Sequence, residues 1–219
     1  MWVKICGIRD VETAREIVAA GVDAIGLNFY QPSPRSVPID DATAIANLLP
    51  DPVIPVGLFV NDTPETVADI CRRCGIEHAQ LHGDETPEML AELQQLNPDL
   101  KIIRAFRVGS SGLKPVAQEL KDIRKLDVEL FACLIDARVE NVYGGSGKTA
   151  PWEMVAEDYQ FDEWPKLILA GGLTPDNVAE AIRVVKPWGV DTAGGVESAP
   201  GVKNKELSQK FVQIARQAP

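Results

Sequence analysis

The alternation of predicted strands and helices is the feature of this sequence that most constrains its fold. Eight short apolar segments rich in β-branched residues alternate with eight longer segments of helical periodicity. The predicted strands span residues 3–6, 24–29, 53–59, 78–81, 101–107, 130–136, 166–170 and 189–191. The predicted helices span residues 11–20, 40–49, 65–74, 87–96, 112–125, 151–158, 175–185 and 205–216. Strands that alternate with helices pair in parallel, so the sequence predicts an α/β fold.

Several helix boundaries are marked by capping residues. At 63–65, 86–88 and 174–176 the sequence reads Thr-Pro followed by an acidic residue, which supplies a capping hydroxyl and a proline suited to the first helical position. Gly21 and Gly75 follow two of the predicted helices, where glycine commonly ends a helix. We therefore expect helices to begin after each of the three threonines.

Two architectures fit eight such units, a closed (β/α)8 barrel and an open, doubly wound sheet. The open dinucleotide-binding sheet would favour G-x-G-x-x-G after its first strand, whereas residues 6–10 read Cys-Gly-Ile-Arg-Asp. A chain of 219 residues also matches one barrel. The sequence predicts a single-domain (β/α)8 TIM barrel over residues 1–219, with a parallel closed sheet and outer helices.

Charge and composition narrow the partners. There are 22 Lys and Arg against 32 Asp and Glu, a net charge of −10, which argues against nucleic acid and basic membrane-surface contacts. No segment approaches the roughly 20 apolar residues of a spanning helix, and the first residues lack a secretory pattern. The four cysteines are too few and too unevenly spaced for a disulfide scaffold. We expect a cytoplasmic protein, monomeric or homodimeric, with a small-molecule partner.

A barrel carries its chemistry at the carboxyl ends of its strands, so the candidate functional residues are those at or just after these ends. The residues at those ends are Cys6, Asn28, Phe59, Gln80, His82, Arg104, Arg107, Asp136, Gly171, Gly172 and the segment 193–197.

Cys6 ends the first strand and shares a strand face with Lys4. If Val3 and Ile5 face the helices, Lys4 and Cys6 point into the barrel. An ammonium beside a thiol favours the thiolate, which could act as a base. The alternative is that Cys6 is only a small core residue.

Asp136 ends the sixth strand after five apolar residues. Desolvation there would raise the pKa of its carboxyl towards that of a usable general acid. The alternative is that it caps the following turn. A thiolate base and a carboxylic acid across the barrel mouth would form a proton-transfer pair.

Glycine pairs follow the seventh and eighth strands, in the segments 170–173 and 193–197. Gly171, Gly172, Gly194 and Gly195 would let backbone N–H groups approach an anion, and barrels often bind phosphate with these two loops. Tight turns are the simpler alternative. A phosphate site here would let an acidic protein hold an anionic substrate.

Three polar side chains complete the candidate site. Arg35, in a proline-bounded loop, could bind a carboxylate with two hydrogen bonds or could simply be solvated. Gln80 and His82 face inward if Leu81 faces the helices. For His82 an orienting, hydrogen-bonded role is favoured over proton transfer.

Two motifs resemble known binding sites but do not meet their requirements. Residues 144–149 read Gly-Gly-Ser-Gly-Lys-Thr, but a nucleotide-binding P-loop would need glycine where Val142 stands. A lid over the site is therefore the preferred interpretation of this segment. Cys71 and Cys74 form a lone C-x-x-C at a helix end, without a second pair for zinc. We interpret both as structural thiols.

With these residues in place, the chain is similar to the phosphoribosylanthranilate isomerases of tryptophan biosynthesis over essentially its whole length. The matching segments are 4–7 (Lys-Ile-Cys-Gly), 33–37 (Ser-Pro-Arg-Ser-Val), 56–60, 80–83 (Gln-Leu-His-Gly), Asp136, 169–173 and 195–197 (Gly-Val-Glu). Each is weak alone, and their common order and position at strand ends make the resemblance specific.

The resemblance implies an Amadori rearrangement on a (β/α)8 barrel without cofactor or metal. It implies that Asp136 is the general acid on the ribose ring oxygen and Cys6 the general base at C2 of the imine. Arg35 would hold the anthranilate carboxylate, and the two glycine loops the phosphate of this phosphorylated substrate.

The sequence departs from the family at three places. Ala193-Gly194 stand where the family often has two serines, Ala150-Pro151 where it often has Phe-Asp, and Asn204 where Asp is common. Phosphate binding in the last loop would then depend on backbone N–H groups. One alternative is the related sugar isomerisation of histidine biosynthesis, but that family uses an aspartate where Cys6 stands and has two phosphate sites, so Cys6 and the single phosphate site argue against it. The other is a barrel that binds a phosphorylated metabolite without turnover.

Overall fold

The strands pair in chain order and close on themselves. In the computed structural model, which describes residues 1–108, 112–137 and 152–218, eight parallel strands form a closed barrel in which the last pairs with the first. These strands are β1 (Trp2–Cys6), β2 (Ala24–Asn28), β3 (Ile54–Phe59), β4 (His78–Leu81), β5 (Lys101–Arg107), β6 (Leu130–Asp136), β7 (Leu167–Ala170) and β8 (Gly189–Thr192). The predicted closed parallel barrel is confirmed.

A helix follows each strand and packs on the outside of the barrel. The helices are α1 (Val11–Ala19), α2 (Ile39–Leu48), α3 (Pro64–Cys74), α4 (Pro87–Leu96), α5 (Lys114–Lys125), α6 (Trp152–Asp158), α7 (Val178–Val185) and α8 (Lys205–Gln217). Among the described residues, no helix is long and apolar enough to cross a membrane.

The two faces of each strand enter different apolar clusters. Val3, Ile5 and Leu27 pack with the helices in the larger cluster, whereas Ile103 and Leu134 belong to a smaller one inside the barrel. This separation follows from the period of two along a strand, which sends alternate side chains to opposite faces. It decides which residues at the strand ends can reach the central cavity.

The expected helix caps form at two of the three threonine-proline pairs. The side chain of Thr63 accepts a hydrogen bond from Thr66 N, and that of Thr86 accepts one from Met89 N, each at 3.3 Å. Gly75 closes α3 in the left-handed conformation, with φ 64°. Asn204 caps α8 in the same way as the threonines, accepting from Leu207 N at 2.8 Å, so an amide performs the capping role of an aspartate there.

The predicted start of the seventh helix at residue 175 is wrong by three residues. The carbonyl of Thr174 accepts from the backbone N–H groups of both Asn177 and Val178, and Asn177 Oδ1 accepts from Thr174 N at 2.8 Å. These bonds hold residues 175–177 in a turn, so α7 begins only at Val178. The local turn therefore outcompetes the capping arrangement that the threonine and proline predict.

A short antiparallel hairpin between β8 and α8 was not expected from the sequence. It consists of β9 (Glu197–Ala199) and β10 (Val202–Lys203), joined through Gly201 with φ 81°. The Pro-Gly pair at 200–201 is the turn signal that could have predicted it. The hairpin places Glu197 and Lys203 side by side.

An aromatic cluster surrounds His78, at the amino ends of the strands. The ring centroids of His78 and Phe131 lie 4.9 Å apart with the rings edge-on, and those of Phe131 and Trp188 lie 5.7 Å apart. Within the described part of the chain, neither nitrogen of this buried imidazole has a hydrogen-bond partner. Burial, with a smaller contribution from the positive charge of Lys101, lowers the pKa of His78 to about 4.

We expect His78 to make the fold sensitive to acid. The unfolded chain takes up a proton near pH 6.5 and the folded chain only near 4, so the contribution of His78 to stability is present above pH 6.5 and is lost as the pH falls. Between about pH 7 and 4.5 the loss is about 2–3 kcal/mol. Urea unfolding of wild type and His78→Phe at both pH values measures it. Equal acid losses in the two proteins would contradict this origin.

Candidate active site

A cavity of about 680 Å³ opens at the carboxyl ends of the strands. The nine residues that the sequence favoured for the site all line this cavity: Cys6, Arg35, Gln80, His82, Asp136, Gly171, Gly172, Gly194 and Gly195. Of the other strand-end candidates, Asn28 and Arg107 line it too, whereas Phe59 and Arg104 do not. The nine favoured residues come from six of the eight strands or the loops that follow them. The closed barrel is what brings these distant segments together.

Lys4 and Cys6 both lie inside the barrel, as the alternation on β1 predicts. Lys4 is fully buried, and its Nζ donates to Asp191 Oδ1 of β8 at 3.0 Å. Burial raises the pKa of the Cys6 thiol, while the charge of Lys4 opposes that rise. The ammonium acts on the thiol in the expected direction, but burial outweighs it.

Asp136 closes β6 at the cavity wall, next to His82 in space. Its carboxylate is one quarter exposed, and Oδ2 lies 3.8 Å from His82 Nε2. Gln80 Nε2 lies 2.9 Å from His82 Nδ1; with the amide as donor, Nδ1 accepts and the neutral ring carries its proton on Nε2, facing Asp136. Leu81 is buried among the helix-facing residues, which confirms the predicted inward orientation of Gln80 and His82.

The two glycine loops are adjacent and tied together. Gly171 and Gly172 have φ values of 97° and 66°, which favour glycine. A Cβ at Gly195 would overlap the carbonyl oxygen of Leu173, so no side chain fits there. Thr192 Oγ1 donates to that same oxygen at 2.7 Å. The loops after β7 and β8 thus present closely apposed backbone to the cavity.

Arg35 is held by a carboxylate of the chain itself. Its Nε and Nη2 donate to the two oxygens of Glu197 at 2.8 and 2.7 Å. Lys203 Nζ adds a 2.7 Å bond to the same carboxylate. Burial opposes ionisation of Glu197, but the bonds from these two cations hold its pKa below the usual value. Three N–H groups of the guanidinium are not used in this pair and can donate hydrogen bonds to a ligand.

Sequence reasoning missed Asp191 and Lys203. Asp191 was detectable, because a lysine inside a barrel needs a counter-ion and Asp191 is an acid within the eighth strand. Lys203 carried no such signal, since its burial depends on the unpredicted hairpin. Asp191 lines the cavity, and Lys203 lies behind Glu197.

Arg104 and Arg107 of β5 point to opposite sides of the barrel wall. Arg107 lines the cavity and donates to the His82 carbonyl at 3.0 Å. Arg104 faces outward and pairs with Glu85 and Glu119, each at 2.7 Å. Glu85 also accepts from Gly83 N, so Arg104 anchors the loop that follows His82.

Removing Arg104 is expected to destabilise the protein. In Arg104→Met the side chain of Glu85, almost entirely buried, loses its cation, and such uncompensated burial costs about 3–5 kcal/mol. Denaturant unfolding measures the loss. Arg183→Met removes the partner of Glu180 in an exposed pair and should change stability little. Equal effects of the two substitutions would contradict the proposed anchoring role.

The predicted lid at 144–149, with Ala150-Pro151, lies outside the described residues.

Two further observations concern metal ligands and the two cysteines of α3. Among the described residues, no group of three or more His, Cys, Asp or Glu side chains could hold a metal ion. Cys71 and Cys74 are buried free thiols at the end of α3, as their structural interpretation requires.

Comparisons with known proteins agree with this geometry. The family model of N-(5'-phosphoribosyl)anthranilate (PRA) isomerase matches residues 3–214. N-(5'-phosphoribosyl)anthranilate isomerase of Trichlorobacter lovleyi is 45% identical over 217 residues, covering 99% of this chain and 98% of the relative. The crystal structure of the Thermotoga maritima phosphoribosyl anthranilate isomerase is 36% identical, with a TM-score of 0.82 over 99% of this chain and 98% of that one.

A further similar structure contains a ligand. It is phosphoribosyl anthranilate isomerase in complex with reduced 1-(o-carboxyphenylamino)-1-deoxyribulose 5-phosphate, 33% identical to this chain with a TM-score of 0.80, covering 99% of this chain and 98% of that one. Since the family model spans nearly all of the chain and the relative in Trichlorobacter lovleyi matches it end to end, this chain belongs to the N-(5'-phosphoribosyl)anthranilate isomerase family.

Proposed function

We propose that this protein catalyses the Amadori rearrangement of N-(5-phospho-β-D-ribosyl)anthranilate to 1-(2-carboxyphenylamino)-1-deoxy-D-ribulose 5-phosphate. The observation that carries the proposal is that one cavity holds a buried thiol, a carboxylate and two apposed glycine loops. Membership of the isomerase family supports the choice of reaction. It also favours turnover over binding without turnover.

The rearrangement needs an acid and a base at different atoms. Asp136 donates a proton to the ribose ring oxygen, the C1–O bond breaks, and the nitrogen lone pair forms the protonated imine. The Cys6 thiolate then removes the proton from C2, and the electron pair moves to give the enolamine. Return of a proton to C1 and loss of the hydroxyl proton at C2 yield the ketone, so that the step is an isomerisation without net redox change.

Binding divides between the two anionic ends of the substrate. The N–H groups of the glycine loops receive the phosphate, and the free N–H groups of Arg35 receive the carboxylate. His82, oriented by Gln80, supports the position of Asp136 through its Nε2 side. Substrate recognition is therefore local, in a protein with a net charge of −10.

A fluorescence assay tests the activity directly. Phosphoribosylanthranilate is generated in situ from anthranilate and phosphoribosyl pyrophosphate, and the loss of its fluorescence is followed after adding the protein. We expect loss well above the spontaneous rate, with appearance of the carboxyphenylamino-deoxyribulose phosphate by mass spectrometry. A rate equal to that without protein would overturn the proposed function.

Arg35→Lys should weaken substrate binding more than turnover. A lysine cannot both bind Glu197 with two hydrogen bonds and present a second forked edge to a carboxylate. Losing one charge-assisted contact, worth about 1.5–3 kcal/mol, raises KM about 10–100-fold with kcat little changed. Steady-state kinetics check this, and a fall in kcat with unchanged KM would contradict the assignment.

A further inference from the structure

We propose that Lys4 is the positioning residue of Cys6, holding its thiolate in the barrel, and that Asp191 fixes Lys4 in place for this task. The proposal deepens the function above, since its catalytic consequence rests on Cys6 being the base. The arrangement of the three side chains stands on the fold alone. Neither Lys4 nor Asp191 has a role in the binding of substrate proposed above.

The barrel places the three groups together by strand register. Lys4 and Cys6 are two positions apart in the sequence and therefore neighbours on the inner face of β1. Lys4 pairs in register with Asp191 on one side, and Cys6 pairs with Gly26 of β2 on the other. A Cβ at Gly26 would overlap Cys6 Sγ, so this glycine provides the space that the thiol occupies. The thiol therefore lies against β2.

Lys4 is shielded from solvent, so its ammonium charge must be stabilised by neighbouring side chains. Its side chain is 0% exposed, and Asp191 accepts from it at 3.0 Å with only 9% of its own side chain exposed. A buried lysine with no anion beside it would lose its proton. Asp191 keeps Nζ charged, and without Asp191 the Cys6 thiolate is the remaining anion that stabilises the ammonium. An ammonium has three N–H groups, of which the bond to Asp191 uses one, and the positive charge of Lys4 favours the Cys6 thiolate.

The other cations near Cys6 form ion pairs with Glu197. Lys203 and Arg35 also act on the thiol, but both donate to Glu197. Burial raises the pKa of the Cys6 thiol and of the Asp191 carboxyl, and Lys4 acts on each in the opposite direction. Asp191 itself disfavours the thiolate by its charge. The ion pair thus has two opposed effects on Cys6, and these can be separated by substitution.

The test measures the ionisation of Cys6 without using the isomerase reaction. The rate of alkylation by iodoacetamide is followed against pH, with peptide mapping to assign the label to Cys6 and a Cys6→Ala protein as background. The four proteins are wild type, Asp191→Asn, Lys4→Met, and the double variant Lys4→Met/Asp191→Asn. The double variant removes both charges, which a buried ion pair tolerates better than the loss of one partner.

Two shifts of opposite sign are expected. Asp191→Asn should lower the pH midpoint of alkylation relative to wild type. The double variant should have a midpoint about 1–3 pH units above that of Asp191→Asn, from which it differs only at Lys4. Equal midpoints in this matched pair would overturn the proposal, as would a rise in Asp191→Asn. If Lys4→Met fails to fold, the matched pair still decides. If Asp191→Asn fails to fold, the comparison of wild type with Lys4→Met decides, since Lys4→Met should have the higher midpoint.

Failure of the proposed function would look different. If Cys6→Ala retained full isomerase activity while the alkylation midpoints shifted as stated, the thiol would be tuned by Lys4 but would not be the base. If the midpoints did not shift while Cys6→Ala was inactive, Cys6 would be the base without help from Lys4. The two ideas therefore stand or fall on separate measurements.

Discussion

Cys6→Ala is expected to lower kcat by about 10³–10⁴-fold, because it removes the group proposed to take the proton from C2. Cys6→Ser should be nearly as inactive, since a serine hydroxyl is a far weaker acid than a thiol and does not ionise in the accessible pH range. Both side chains fit the space beside Gly26 that the thiol fills. Folding should therefore survive, and the loss should lie in kcat.

The matched control is Cys71→Ala, which removes a buried thiol far from the cavity. Cys71 lies on α3, and burial raises its pKa to about 12, so it has no thiolate to contribute. Its removal should leave kcat unchanged. Titration of Cys6→Ala with reduced 1-(o-carboxyphenylamino)-1-deoxyribulose 5-phosphate should show binding close to that of wild type. Full activity in Cys6→Ala would refute the proposed base.

The sequence predicted the barrel because two periodicities are strong and local. A period of two in β1, apolar runs of strand length such as β6, and a period of 3.6 in the intervening helices can be read without knowing any contact. The period of two also placed Lys4, Cys6, Gln80 and His82 inside the barrel. The strand-end rule did the rest, since closing the sheet brings all these ends to one rim.

What the sequence did not predict depends on contacts between distant segments. Whether Arg35 is solvated or fixed is decided by Glu197, 162 residues away along the chain. The pairing of Lys4 with Asp191 spans 187 residues and needs a closed barrel, since only closure makes β1 and β8 neighbours. The start of α7 failed for the opposite reason, because a short-range turn overrode a cap.

Net charge alone gave an incomplete picture of the partners. A charge of −10 disfavours polyanions, yet the proposed substrate carries both a phosphate and a carboxylate. In the described part of the cavity, the arginines that line the wall are Arg35, after β2, and Arg107, at the end of β5. Arg35 shares its charge with Glu197, whereas Arg107 donates to a neutral carbonyl. Local placement of charge, rather than its sum, determines which anions bind.

Asp136→Asn is expected to lower kcat/KM by about 10²–10⁴-fold, since an amide of the same shape cannot donate a proton to the ring oxygen. On the proposed mechanism, the wild-type rate requires an ionised Cys6 and a protonated Asp136. The thiolate fraction rises with pH until the thiol is titrated, and the protonated carboxyl fraction falls with pH from the point where the acid is titrated.

These opposed requirements give the substitution a signature that a loss of folding would not have. Burial raises the pKa of the Cys6 thiol above its ordinary value, so in wild type kcat/KM should fall only above the thiol titration, where the thiolate is complete and the acid still loses protons. Without the acid, kcat/KM of Asp136→Asn should rise up to that same pH and then stay level. The wild-type and variant rates should thus converge at high pH. A pH–rate profile for both proteins measures this, and a constant ratio at every pH would show that Asp136 acts in some way other than as the acid.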